Sequence, residues 1–353
     1  MRFDNREGET VTILDVAREA GVAPSTVSYV LSGKRSISPE TRRLVELSVR
    51  KLGYHPHAGA RALAGSRTKV LALVAPLRAD LNVPVIMQFV ASMVATARAH
   101  DHDLLLLTKD EGPAGLKRVT SSAMADALIV MDVEAADARI PVLRSLDRPV
   151  VLVGAPDQVA GPAGLHCVDL DFVAAGACCV MHLAELGHRA IALLGPSPSV
   201  YQRQTSYAGR FLRGFNEAAQ ARGVFATSHA CAPSYEAVQA CLDELFAVNP
   251  HVSGIIVHNE AVLSSVLAEL RHRHKRVPED VSVVAVCPES MAENQFLPLT
   301  TVAIPAAELG EIAVEMVIRQ LTDTGRTKPS APETRLLSPR LTQRASTAPP
   351  SRP

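Results

Sequence analysis

Residues 12–33 read TILDVAREAGVAPSTVSYVLSG, and this stretch decides the first part of the fold. Thr12 is placed to cap a helix, with Asp15 three residues on. Apolar Ile13, Val16, Ala17 and Ala20 follow at helical spacing, and Gly21 supplies the stop. A second helix is expected over residues 25–31, with Val27, Val30 and Leu31 turned inward and Ser25, Thr26, Ser28 and Tyr29 turned outward. Ser38, Pro39 at the first helical position and Glu40 in the first turn then open a third helix, which runs to Leu52 and closes at Gly53. Three short helices with a tight glycine-containing turn between the first two form a helix-turn-helix pattern. The second helix of such a unit enters the DNA major groove with its first residues against base edges. Short Ser25 and Thr26 permit the close approach that bulky charged groups would prevent.

Charge supports a polyanion partner for this segment. Between Thr10 and Lys69 there are ten Lys/Arg and four Asp/Glu, a balance of 10 − 4 = +6, while the whole 353-residue chain has a formal charge of zero. A basic head therefore sits on an acidic body. At 47% hydrophobic and 20% charged residues the chain has the composition of a globular protein of two or three domains. The charged opening MRFDNREGET lacks the apolar centre of a signal peptide, and no run approaches the roughly 18 apolar residues that span a bilayer. These features predict a cytoplasmic protein with no membrane partner, associated with the nucleoid when bound to DNA. Six cysteines without C-x-x-C spacing read as free thiols.

After Lys69 the pattern changes to short aliphatic runs separated by helix-length spacers: VLALVAP, DLLLLT, ALIVMDV, PVVLVGA, AIALLG, SGIIVHN and VSVVAV. Continuous aliphatic runs are buried parallel strands, and seven of them with intervening helices fit two doubly wound lobes better than one sheet. Ligands of such sheets sit beyond the carboxyl ends of the strands. The polar residues there are Arg78 and Asp80 after the first run, Asp132 after the third, Asn259 and Glu260 after the sixth, and Cys287 after the seventh. Together they describe a polar cleft. No G-x-G-x-x-G after a strand, G-x-S-x-G, H-E-x-x-H or Walker loop occurs, so no enzyme, cofactor or metal is expected. HDH at His100 and RHRHKR from Arg271 read as basic helix ends. The competing reading is a solute-binding or α/β enzyme domain with an incidental helical head.

The segment TILDVAREAGVAPSTVSYVLSGKRSISPETRRLVELSVRKLGYHPHAGARALAG resembles the DNA-binding region of the LacI (lactose repressor) family, whose usual pattern is close to DVAxxAGVSxxTVSRVLNG and then ALGYxPNxxARxLxxxxT. Fainter marks follow: HLAELGHRAIALLGP from His182, RGF at Arg213, PLTTVAIPAAELG from Pro298 and LLSPRLTQRAST from Leu336. The resemblance implies a homodimeric, ligand-responsive regulator, a repressor, binding a palindromic double-stranded operator. It implies an α/β chain with a helix-turn-helix domain over residues 10–55 and a hinge over 56–68. A two-lobed periplasmic-binding-protein-like domain over 69–345 follows, with a disordered tail over 346–353. Residues 69–168 with 301–327 would make one lobe and the rest the other.

By the same resemblance Pro24, Ser25 and Tyr29 read bases, and Thr26 and Ser28 hold phosphates. Thr12, Lys34, Arg35 and His57 complete the DNA contacts. Tyr29 stands where arginine is usual. Leu63 matches a minor-groove wedge and Arg61 an adjacent groove contact, within a segment whose Gly59 disfavours helix in the absence of DNA. For the effector, expected to be a sugar or other small polar metabolite, Asp171 matches a ligand-contacting acid. The position that usually carries arginine ahead of GF is Phe211 here, with Arg210 one step earlier. Cys287 and Glu260 stand where aspartates are common, and the chain has no tryptophan to stack on a sugar.

Overall fold

A computed structural model describes residues 11–32, 35–54, 67–78, 81–121, 124–156, 164–323 and 331–351. Lys34, His57, Arg61, Leu63 and Asp80, and with them most of the expected hinge, lie outside the described residues.

The head consists of α1 (Ile13–Ala20), α2 (Pro24–Ser32) and α3 (Pro39–Leu52). The backbone N–H and the hydroxyl of Thr12 both donate to Asp15, at 2.9 and 2.6 Å, which fastens the entry to α1. Gly21 and Gly53 close α1 and α3 in the left-handed conformation, at φ 65° and 61°, where a side chain would be strained. Val16, Ala17, Val27, Val30, Val45 and Tyr54 form the small core. Leu31 does not join it: it is 40% exposed, because the inward stripe of α2 is satisfied by Val27 and Val30.

The second unit carries two six-stranded sheets. The first sheet has the order β11-β5-β4-β3-β1-β2. Its strands are β1 (Val70–Val74), β2 (Asp103–Leu107), β3 (Ala127–Val130), β4 (Val150–Val153), β5 (His166–Leu170) and β11 (Thr334–Leu337). The second has the order β12-β10-β9-β8-β6-β7, from β6 (Ala190–Gly195), β7 (Phe225–Ala230), β8 (Gly254–Val257), β9 (Ser282–Cys287), β10 (Thr300–Ala303) and β12 (Leu341–Thr342). The recorded strand pairs are parallel apart from that of β10 with β12. Parallel pairing requires crossover helices: α4 (Val83–Ala99), α5 (Gly112–Ser121) and α6 (Ile140–Arg144) serve the first sheet. In the second, α7 (Phe172–Glu185), α8 (Pro198–Gln202), α9 (Ser206–Arg222), α10 (Tyr235–Val248), α11 (Leu263–His272) and α12 (Glu289–Glu293) do so. The long helix α13 (Ala306–Thr322) returns to pack with α4 against the first sheet.

The chain therefore passes between lobes after β5, after β10 and again between β11 and β12. This moves two expected boundaries. Thr301 belongs to the second lobe, on β10, and the return begins only at α13; β11 then rejoins the first sheet rather than the second. The tail also departs from expectation. Ser346 is fully buried and Thr347 nearly so. Val283 N–H donates to the Ser346 carbonyl, Ser346 Oγ donates back to Val283, and Ser351 Oγ donates to the Glu279 carbonyl. His188 lies between Ser253 and the Ala348 carbonyl, at 2.8 and 3.0 Å. Because the carbonyl can only accept, Nε2 carries the proton and Nδ1 accepts from Ser253. Proline does not prevent order here, because the residues on both sides of Pro349 and Pro350 carry hydrogen bonds.

In the second lobe α7 and α9 cross at glycines. A side chain at Gly214 would overlap the Val173 carbonyl, and one at Gly176 the Phe211 carbonyl, so these helices meet backbone to backbone. All six cysteines are free thiols. Among the described residues no helix is long and apolar enough to cross a membrane.

Candidate effector cleft and DNA-facing helix

On α2, Pro24, Ser25 and Tyr29 are exposed, while Thr26 and Ser28 are half-buried. Ser25 and Tyr29 thus lie on the face away from Val27 and Val30, with Thr26 and Ser28 at its flanks. The Arg35 guanidinium sits 5.9 Å from the centre of the Tyr29 ring, which brings an arginine to the place where the side chain itself is not one. Lys51 reaches back to Glu19 of α1 at 2.6 Å, leaving Arg42, Arg43 and Arg50 as the other basic groups of α3.

In the body, a cleft of about 940 Å³, open to solvent, lies at the carboxyl ends of the strands. One wall carries Pro76, Asn82, Val85, Ile86, Phe89 and Met131; the other carries Phe172, Tyr207, His258 and Glu260, with Asp132, Asp169 and Ile304 also lining it. Phe172, Tyr207 and His258 form an aromatic corner with ring centres 5.5 to 5.7 Å apart, and Phe211 stacks beneath His258 at 4.0 Å. Burial pushes the His258 imidazole down to about 3, so it is neutral, and its Nδ1 has no hydrogen-bond partner among the described residues. Glu260 is half-buried on the cleft wall, and burial pushes its carboxyl up to about 7, opposed by its own backbone amide.

Four ion pairs, two of them sharing Arg78, shape the floor. Arg78, after β1, pairs with Asp132 after β3 and, at 2.7 Å, with Asp110 after β2. Asp132 has φ 54°, unusual for a residue with a side chain. Arg139 holds that turn by donating to the carbonyls of Met131 and Asp132 at 3.1 and 2.8 Å. Arg139 is itself paired with buried Asp137: burial works to raise that carboxyl, and the hydrogen bonds and charge of Arg139 bring it below its ordinary value. Asp169, at the end of β5, pairs with Arg210 of α9 and accepts from the Ala155 and Leu170 amides, both at 2.9 Å. Burial raises its carboxyl despite the opposing charge of Arg210.

The Asp169–Arg210 pair joins the lobes, and its neighbours do too. Ser206 N–H donates to the Val133 carbonyl at 2.9 Å, Ala135 N–H to the Gln204 carbonyl at 2.8 Å, and Ser206 Oγ to Ala155. The start of α9 is thus latched to the first lobe beside the cleft.

Of the residues singled out from sequence, Asp132 and Glu260 line the cleft, and Arg78 and Arg210 stand behind its carboxylates. Four others do not line it. Asp171 caps α7 by accepting from the Ala174 amide at 3.0 Å; the acid facing the cleft is Asp169, two residues earlier, because β5 ends at Leu170 and the chain turns at Asp171 into the helix. Phe211 is fully buried in the core. Asn259 donates to the Cys231 carbonyl at 2.7 Å and caps the turn at Ala261. Cys287 is buried beside Thr301, 3.7 Å from its hydroxyl, and burial raises its thiol to about 11. Phe172, Tyr207, His258 and Asn82 went unseen because aromatic and amide residues near helix starts carry no ligand signature of their own.

Comparison with known proteins agrees with this layout. Residues 12–57 match the lacI family of bacterial regulatory proteins, and residues 180–347 match the periplasmic-binding-protein-like domain. The chain is 27% identical to the HTH-type transcriptional regulator RegA of Clostridium saccharobutylicum, over 88% of this chain and 92% of RegA. It is also 27% identical to DegA of Bacillus subtilis, over 96% and 98%. A structure of the regulator CelR in complex with cellobiose superposes with TM-score 0.67 at 26% identity, over 95% of this chain and 99% of that one. A lac repressor dimer bound to operator and an anti-inducer shares the fold, with TM-score 0.77 at 24% identity over 96% and 100%. The head is thus a helix-turn-helix domain of the lacI family of bacterial regulatory proteins and the body carries a periplasmic-binding-protein-like domain, an arrangement matched over nearly the whole chain by HTH-type transcriptional regulators.

Proposed function

We propose that this regulator acts in the cytoplasm as a homodimeric repressor of a near-palindromic operator, with a small effector held between the lobes. Exposed Pro24, Ser25 and Tyr29 would meet base edges, half-buried Thr26 and Ser28 would meet phosphates, and Arg35 would be delivered beside Tyr29. One short helix in one groove covers too little surface for operator selectivity, so two heads must act together. Residues 56–68 would join head to body, with Leu63 as the wedge. The body senses rather than catalyses.

The observation that carries the reading is the latched cleft. Asp169 and Arg210 bind the lobes to each other at its floor, so a ligand bridging both walls acts on the same interface that sets the lobe angle. The CelR complex shows that a relative of this fold holds cellobiose. A sugar has an apolar ring face that suits the Phe172–Tyr207 corner. The test is a mobility-shift titration of the full chain against DNA upstream of its own gene, at several salt concentrations and with candidate effectors. Log affinity falling steeply with log salt, together with an effector-dependent shift, is expected. Affinity independent of salt removes the DNA reading, and an operator complex unaffected by every ligand that stabilises the body removes the coupling.

A further inference from the structure

The charges of the cleft do not balance. Among its lining residues there is no lysine or arginine, but there are three carboxylates. Asp132 is neutralised by Arg78 and Asp169 by Arg210, both from behind the wall. Glu260 has no side-chain partner among the described residues. The α4 N-terminus at the opposite wall offers little to an anion: Pro84 has no N–H, and those of Val85 and Ile86 already donate to the Asn82 carbonyl at 3.0 and 3.2 Å. Beside Glu260 stands the aromatic corner, whose ring faces attract cations, and a buried His258 Nδ1 without a partner. The remaining wall is aliphatic.

Resting on the reading of this cleft as the effector site, we propose that it selects a small organic ammonium ion, with an apolar body against Val85, Ile86 and Phe89 and a protonated nitrogen paired with Glu260. Such a ligand supplies the missing positive charge, packs on the rings, and leaves no group of the cleft anionic and unpaired. A carboxylate ligand would meet repulsion from Glu260. A neutral sugar would leave the carboxylate uncompensated whenever Glu260 is ionised. The charged and titratable groups around Glu260 are Asp132 and Asp169, paired with Arg78 and Arg210, and His258, kept neutral by burial, with the Cys287 thiol behind; burial raises the Glu260 carboxyl to about 7.

The experiment is calorimetry and thermal shift on the full chain with phenethylamine and cyclohexylmethylamine, against their neutral isosteres 2-phenylethanol and cyclohexylmethanol, the anion phenylacetate, and cellobiose. Parent, Glu260→Gln and the cleft-filling Ile86→Trp are compared, each first shown to melt cooperatively. At least ten-fold preference for the ammonium probes is expected, lost in Glu260→Gln, and weakening as pH falls from 8 to 6 because Glu260 is protonated. If cellobiose or a neutral isostere binds as tightly as the amines and Ile86→Trp abolishes it, the ammonium proposal is overturned while the cleft remains the effector site. If amine binding survives Ile86→Trp unchanged, the cleft reading falls as well. No shift with either amine overturns the proposal, as does an unchanged affinity in Glu260→Gln.

Discussion

Replacing Arg210 with methionine tests the floor of the cleft directly. The side-chain volume is nearly kept, but Asp169 loses its counter-ion while remaining almost inaccessible to water. Breaking a buried pair by removing one partner costs about 3–5 kcal/mol. Protonation sets a ceiling on that cost, because the variant can fold with Asp169 neutral. From an ordinary value of 3.8, carrying the proton at pH 7 costs about 1.36 × 3.2, or ~4 kcal/mol, and at pH 5 about 1.36 × 1.2, or ~2 kcal/mol. The sign follows from the direction of the shift. A carboxyl raised in the folded state contributes no penalty below its unfolded value; the penalty grows as pH rises above that value and levels off once pH passes the folded value. The variant should therefore melt about 6–8 °C below the parent at pH 7, and about 3–4 °C below it at pH 5, at about 2 °C per kcal/mol for a body of this size. Adding Asp169→Asn should recover most of the loss, since neither partner is then charged. Differential scanning calorimetry of the three proteins from pH 5 to 8 is the assay. A deficit that is constant with pH, or a double variant as unstable as the single, would refute the argument and place the cost in packing alone.

Three further outcomes are expected. Glu260→Gln should raise the melting temperature at pH 8 and leave it unchanged near pH 4.5, because a carboxyl raised from 4.5 to about 7 costs up to ~3 kcal/mol once ionised; melting scans at the two pH values check this. Tyr29→Arg should alter base preference at one symmetric pair of operator positions, by roughly 1–3 kcal/mol per pair, and leave non-specific affinity alone, as read by selection from randomised operators. Gly214→Ala should lower stability by more than the 1–3 kcal/mol typical of overpacking, since the added methyl meets the Val173 backbone rather than a side chain that can turn away; a urea melt measures it.

How much of this was legible in the chain depends on the range of the interaction that decides each part. The head was readable almost to the residue because caps are local: Thr12 with Asp15, Ser38 with Thr41, and the left-handed glycines act within four positions. Leu31 was misread because helical spacing identifies a stripe but not how much of it the neighbours cover. Among the strands, the seven aliphatic runs are all present, and those missed have a physical reason. β7 is an edge strand with Phe225 exposed and polar residues between, so it carries no buried run. β10 buries Thr300 and Thr301 completely, which is tolerable only because Thr301 Oγ1 donates to the Ala285 carbonyl at 3.0 Å and the Thr300 hydroxyl meets that of Thr347 at 2.8 Å.

The cleft shows the opposite limit. The rule that ligands sit beyond strand ends pointed to the right loops, but not to which charges remain available once the sheets assemble. Arg78 and Asp132 looked like two ligand groups and are one ion pair, formed by strands 1 and 3 of the order in which the chain is written but adjacent in the sheet. Asp169 and Arg210 are 41 residues apart and meet only because the chain has already crossed between lobes. Each pairing removes a cation from the ligand's reach and returns a neutral wall. Among the described residues, what the assembly leaves is one uncompensated carboxylate, Glu260, beside three rings. That remainder, rather than the roll of polar residues, determines what the cleft can hold: it is a property of the pairings, and the pairings belong to the fold.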